Sequence, residues 1–242
     1  MNNNTGILGI PLSNITKSEL LDAVSEHFER RNKNLFIITA NPEILLDASR
    51  MPDYKNVLLE ADYLVPDGIG VMIASRIMRK PLREKMPGYE LMHDFLAYSV
   101  RHNKTVYFYG AKPGYAEQAA LNAEIQYPGV NIVGFRDGYG SDRMAAAREI
   151  AAMQPDFVFV AMGAPIQEQW IADAHPHFES SVMIGVGGSI DVLSGNVRRA
   201  PKFWVNNHLE WFYRLITQPW RAKRMAKIPV FLWLVIKDRF KR

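Results

Sequence analysis

Asp67 stands in the run Val65-Pro66-Asp67-Gly68-Ile69-Gly70, after a short apolar stretch and before a helical pattern. A carboxylate there, beside glycines that let a ligand approach the backbone, suits a general base taking a proton from a substrate hydroxyl. The same position suits a helix cap, the reading that position alone favours slightly. Thr39 and Asn41, in the TANPE run of residues 39–43, offer a hydroxyl and a carboxamide to a polar ligand. Equally, they suit capping of the helix that Pro42 opens. Gln167, Glu168 and Gln169 begin a helical pattern after Gly163-Ala164-Pro165, where glutamines can read a ligand's hydroxyls and a glutamate is ordinary. Gly185, Gly187 and Gly188 (GVGG) precede another helix and resemble a phosphate cradle. Their spacing is neither the dinucleotide nor the Walker pattern. Asp191, early in the helix that follows, reads as a helix stabiliser.

Metal and thiol chemistry find little support. The chain has no cysteine, which excludes disulfides, thiolate zinc sites and cysteine nucleophiles. Its six histidines show no ligand spacing, and no D-x-D occurs. For a nucleotide diphosphate substrate, leaving-group charge would then fall on Arg, Lys or backbone dipoles, and no cofactor or metal is expected.

The elements that must position these residues are legible. Residues 35–39 (LFIIT), 106–109 (VYFY), 131–135 (NIVGF), 156–160 (DFVFV) and 182–186 (VMIGV) are short, β-branched or aromatic, and closed by turn residues. Amphipathic segments lie near 42–50, 70–78, 89–101, 115–126, 143–153 and 166–174. Continuous apolar strands alternating with helices predict a doubly wound, Rossmann-like, mostly parallel α/β sheet covered on both faces. In such a sheet, ligands sit beyond the carboxyl ends of the strands, where TANPE, VPDGIG, GAKPG, MGAPIQEQW and GVGG all gather. With 242 residues, one catalytic body over 1–195 and a helical appendage over 196–242 are expected.

Charge is lopsided. From Arg214 onward nine basic residues face one acid, Asp238, a net +8 that leaves −4 for the remainder. Pro219 and Pro229 are expected to break this tail into short helices. Residues 228–236 (IPVFLWLVI) are too short to span a bilayer, which takes about 20 apolar residues. They suit an interfacial helix with Trp220, Phe231 and Trp233 at headgroup depth and the basic residues on anionic lipid. Docking of that helix on the body is the competing reading, and no nucleic-acid signature is present. The polar start, MNNNTGILGI, has no secretory pattern, so a cytoplasmic chain is expected, peripheral on the membrane's inner face.

The run GVGGSIDVLSGNVRRAP followed by LEWFYRLITQPWRAKR resembles the WecG/TagA/CpsF glycosyltransferases, and TANPE, VPDGIG and GAPIQEQW resemble that family's other blocks in the same order. The resemblance implies a metal-independent, inverting bacterial enzyme moving a sugar from a UDP donor onto a polyprenyl-diphosphate-linked sugar. It implies Asp67 as base, Thr39, Asn41 and Gln167 in the pocket, and Arg214, Arg221 and Arg224 reaching the active site from a membrane-bound appendage. It further suggests N-acetylmannosamine as the sugar and lipid-linked N-acetylglucosamine as acceptor, with N-acetylmannosaminuronic acid or glucose the alternatives. Where the family has an Arg, this chain reads Glu84-Lys85-Met86, so Lys85, with neighbouring Arg83, takes the phosphate-binding place without the planar fork.

Two other readings compete: a nucleotide-dependent oxidoreductase, disfavoured by the missing glycine fingerprint, and a non-catalytic membrane adaptor in which Asp67 only caps. The aromatic stretch 203–213 can pack a partner subunit, making a homo-oligomer, or the body itself.

Overall fold

A computed structural model describes residues 4–241 except 32, 141, 208, 218, 220 and 221, and excludes the side chains of Asn206, Arg214 and Lys223. The chain opens with a hairpin, β1 (Asn4–Ile7) and β2 (Ile10–Ser13), then α1 (Lys17–Arg30), β3 (Leu35–Ala40), α2 (Pro42–Arg50), α3 (Pro52–Glu60), β4 (Tyr63–Pro66), α4 (Ile69–Ile77) and α5 (Gly88–Arg101). There follow β5 (Thr105–Gly110), α6 (Tyr115–Gln126), β6 (Asn131–Arg136), α7 (Arg143–Ala152), β7 (Phe157–Ala161), α8 (Ile166–Ala174), β8 (Val182–Gly185) and α9 (Ser189–Leu193). The remainder is helical: α10 (Lys202–Asn206), α11 (Glu210–Thr217), α12 (Ala222–Met225) and α13 (Lys227–Lys241).

Six strands form one parallel sheet in the order β4-β3-β8-β7-β5-β6. The doubly wound reading is borne out. β3, β5, β7 and β8 are buried along almost every residue because apolar side chains leave both faces of the sheet and meet helices on each. One face packs residues of α2, α3, α4, α7 and α8, including Leu45, Tyr54, Ile150 and Trp170. The other packs α1, α5, α6 and α9, including Leu20, Phe95, Ala119 and Ile190. Thus β3 and its neighbour β8 send the chain to opposite faces, which opens a crevice between their carboxyl ends.

Four features depart from the sequence reading. The β1–β2 hairpin and the helices α1 and α3 have no counterpart in it. Ser13 Oγ accepts the Leu64 amide at 3.1 Å, which sets the hairpin against β4. Strand β6, expected to be covered on both faces, is an edge strand of mostly half-exposed residues. Pro229 does not break the tail: it is the third residue of α13, where no intrahelical N–H donation is needed. Phe231 is not at headgroup depth either. It and Val235 are fully buried, in the same core as α2 and α4, so α13 is docked on the body. Trp220 lies outside the described residues.

The aromatic stretch packs on itself: Trp204 of α10 meets Phe212 and Tyr213 of α11, each with ring centroids 5.9 Å apart. No helix among the described residues is long and apolar enough to cross a membrane.

Candidate active site at the carboxyl ends of the central strands

Thr39 is the penultimate residue of β3, buried, and donates from Oγ1 to the Gly185 carbonyl of β8 at 3.2 Å. Two residues on, Asn41 leaves the strand in extended conformation and caps α2, its Oδ1 accepting the Glu43 and Ile44 amides at 3.0 Å. Of its two sequence readings the cap is therefore realised, and Nδ2 is the part of the carboxamide left for a ligand.

Asp67 follows the last residue of β4. Its amide donates to the Ala40 carbonyl at 2.8 Å, which fixes it beside Thr39 and Asn41. Gly68, at φ +87°, turns the chain directly into α4. A Cβ on Gly70 would lie 2.6 Å from Pro42 Cγ, so the amino ends of α4 and α2 abut. A third amino end completes the group: a Cβ on Gly88, first residue of α5, would lie 3.1 Å from Thr39 Oγ1 and 3.6 Å from Val186 Cα. Three helix N-termini therefore converge where Thr39, Asn41 and Asp67 meet, giving positive potential where an anion would sit.

The Met86 amide donates to the Pro66 carbonyl at 2.7 Å, and this brings Lys85, the residue before Met86, to the end of β4 that Asp67 follows. Arg83 is placed differently. Its guanidinium is exposed and pairs with Glu19 of α1 at 2.6 Å, while its amide donates to Asn14. Arg83, expected beside Lys85 at the phosphate, thus lies against α1's first turn in this arrangement.

Gln167 is buried and its carboxamide is almost fully used. Oε1 accepts the Gly163 amide at 3.2 Å and the Gly187 amide at 3.1 Å, while Nε2 donates to Glu168 Oε1 at 2.7 Å. Tyr54 of α3 donates to Glu168 Oε2 at 3.1 Å. Burial pushes the Glu168 carboxyl up, against the opposing effect of these hydrogen bonds; burial, with Glu168 beside it, pushes the Tyr54 phenol up as well.

The network runs through one of the glycines expected to cradle a phosphate, Gly187 and Gly188. The Gly187 N–H is committed to Gln167, and α9, which Gly188 caps, is only five residues long.

Of the tail arginines, Arg224 reaches the rim. Its Nε donates to Glu43 Oε1 and Oε2 at 3.0 and 2.9 Å and its Nη2 lies 2.8 Å from Oε2. Lys227 binds Asp47, one turn further along α2, at 2.6 Å. The Arg214 side chain and Arg221 lie outside the described residues.

This geometry can be set beside known proteins. Residues 5–242 match the model of the glycosyl transferase WecG/TagA/CpsF family. The chain belongs to this family. Among its curated relatives are three bacterial enzymes named N-acetylglucosaminyldiphosphoundecaprenol N-acetyl-beta-D-mannosaminyltransferase. That of Bacillus spizizenii is 44% identical over 224 residues, 91% of this chain and 87% of the relative. That of Bacillus subtilis is 39% identical over 232 residues, 96% and 91% of the two chains. That of Staphylococcus aureus is 34% identical over 236 residues, 97% and 93%. The chain is thus a glycosyltransferase of the WecG/TagA/CpsF family, and the oxidoreductase and adaptor readings fall away. Among the described residues of this transferase, no three His, Asp or Glu side chains cluster as metal ligands.

Sequence reasoning missed Tyr54, Glu168 as a buried partner, and the acidic pair Glu43 and Asp47 that receives the tail. Glu43 and Glu168 stood inside quoted motifs, and their burial or pairing was the missing information.

Proposed function

We propose that this chain transfers N-acetylmannosamine from its UDP conjugate, with inversion, to N-acetylglucosamine carried on undecaprenyl diphosphate. The observation that carries the reading is Asp67, held by its own amide beside Thr39 and Asn41 where the amino ends of α2, α4 and α5 converge. The names of the relatives support the transferred group and the acceptor.

In this reading Asp67 accepts the proton of the acceptor hydroxyl as its oxygen bonds to the donor's anomeric carbon. The bond from that carbon to UDP breaks on the opposite face, and UDP leaves with the electron pair. Its negative charge is met by the three helix N-termini, by Lys85 and by Arg224 exchanging Glu43 for phosphate. Thr39, and Asn41 through Nδ2, orient the sugars.

Membrane attachment through the tail is part of the proposal. Outside its buried side, α13 exposes Val230, Trp233, Ile236 and Phe240, and Lys237 Nζ lies 5.2 Å from the Trp233 ring centre. Trp211, Phe212 and Ile216 of α11 are exposed too. Apolar and basic groups mixed on one exposed tail suit the inner, anionic surface of a membrane.

The test is UDP release by the full chain on vesicles containing the lipid-diphosphate N-acetylglucosamine, with UDP-N-acetylmannosamine and a chelator. Acceptor-dependent turnover that falls at least ~100-fold in Asp67→Asn is expected for loss of a general base. Turnover only with a different UDP-sugar, or only without chelator, would refute the donor or the metal-free chemistry respectively.

A further inference from the structure

The loops that follow β7 and β8 are joined by one side chain, and that side chain is itself held from behind. Gln167 Oε1 takes the Gly163 amide from the first loop and the Gly187 amide from the second. A carbonyl oxygen has two acceptor directions, so both are filled. One N–H of Nε2 is spent on Glu168, whose other oxygen is bound by Tyr54. Gln167 thus keeps one N–H for any other partner. The fit against β8 is close: a Cβ on Gly185 would lie 2.7 Å from Gln167 Nε2. The Gly185 carbonyl is also the acceptor for Thr39. A continuous chain therefore runs from Tyr54 through Glu168, Gln167 and Gly185 to Thr39.

We propose that Glu168 is a positioning residue of the active site: it holds Gln167 so that this side chain sets the spacing of the loops at Gly163 and Gly187, and with it the donor pocket beside Thr39. The proposal rests on the transferase reading above. It makes Gln167 a brace between loops instead of a group that acts on substrate. Rotation of Gln167 away from Glu168 would release two half-buried loop amides together, and the two loops would lose their shared acceptor. The charged groups bearing on Tyr54 from α2 are Glu43 and Asp47, which Arg224 and Lys227 pair in turn.

The test exchanges the two polar ends. Glu168→Ala removes the acceptor for Gln167 and should raise donor KM roughly tenfold, and Glu168→Gln, which keeps an acceptor, should bring it back most of the way. Gln167→Glu puts a second carboxyl against Glu168 where the donor stood. The two must share a proton, so repulsion grows as pH rises and both ionise. At pH 8 this variant should raise donor KM roughly tenfold and speed amide exchange in peptides covering 162–168 and 185–190, with recovery toward pH 6. The double variant Gln167→Glu with Glu168→Gln restores one donor between one pair of acceptors, so wild-type KM and exchange should return at pH 8.

If the double variant recovers exchange but not KM, Gln167 acts on substrate directly and the proposal is overturned. If Gln167→Glu changes neither quantity, or exchange alone, the brace does not position the pocket. A wild-type enzyme inactive with UDP-N-acetylmannosamine and every other UDP-sugar tried would sink the transferase reading instead. That outcome is seen before any variant is made, and the exchange measurements stand without it.

Discussion

Arg224 of α12 lies against Glu43 of α2 with three nitrogen–oxygen distances between 2.8 and 3.0 Å, although 181 residues separate them. Glu43 is the residue whose amide Asn41 caps, so the tail is fastened one helical turn from the site. Lys227 on Asp47 extends the contact, and both acids are largely covered, at 18% and 25% exposure.

Glu43→Gln should therefore loosen the tail. Partly exposed pairs contribute up to about 1 kcal/mol each, so proteolytic nicking within 202–226 should speed up by roughly fivefold. Raising salt should do the same to the wild type and little more to the variant. Equal nicking rates at low salt would show that the contact does not hold the tail.

The two sides of α13 should respond in opposite ways. Phe231→Ala removes a fully buried ring from the core shared with α2 and α4, and should cost about 3–5 kcal/mol in chemical denaturation. Trp233→Ala, at 58% exposure, should change stability by about 0.5 kcal/mol or less but weaken binding to anionic vesicles. Unchanged vesicle binding would remove Trp233 from the membrane contact. A chain truncated after Gly195 should, for the same reason as Phe231→Ala, be markedly less stable than the intact protein.

Gly88→Ala probes the junction of α5 with the site. The added methyl would sit 3.1 Å from Thr39 Oγ1, closer than most carbon contacts, and must push Thr39 or the helix aside by a few tenths of an ångström. Alanine is a better helix former than glycine, so stability should hold while turnover falls. A variant with full turnover would show that substrate does not use this corner.

His93 predicts a pH dependence. Its Nδ1 meets the Tyr127 hydroxyl, and its Nε2 is buried without a hydrogen-bond partner among the described residues. Burial, then the nearby Arg199, push the imidazole down to about 4. Between the ordinary histidine range near 6.5 and that value, the unfolded chain binds a proton that the folded chain refuses. Stability is therefore lost as pH falls through this window. His27, also pushed down by burial, adds in the same direction. Denaturation of His93→Gln between pH 7 and 4.5 should show a shallower loss, by about 1 kcal/mol after allowing for partial exposure.

The sheet was readable because its strands are unbroken apolar runs and its rim loops carry Gly, Pro and Asn. The hairpin was hidden because Leu8-Gly9 makes its turn, with φ of +51° and +74°, where Asn-Gly is the usual signal. Apolar content in β6 did not reveal that it is an edge strand among the described residues, which depends on strand order. In the site, Asp67, Thr39 and Asn41 were placed correctly because strand ends fix them locally. The partners of Gln167 and Arg83 were not legible, because local pattern does not choose them: the loops at Gly163 and Gly187 for one, Glu19 for the other. Phe231 was misread for a related reason. A short apolar helix has the same composition whether it faces lipid or α2.

The two borders of the central sheet are unlike. At β4 the amino-terminal hairpin lies alongside, with Ser13 occupying the Leu64 amide. At β6 no strand among the described residues lies beyond, and Phe135 is 44% exposed. With the hairpin alongside β4, an edge-to-edge pairing of two copies would use β6 on both, a closed twofold arrangement that leaves no border for a third.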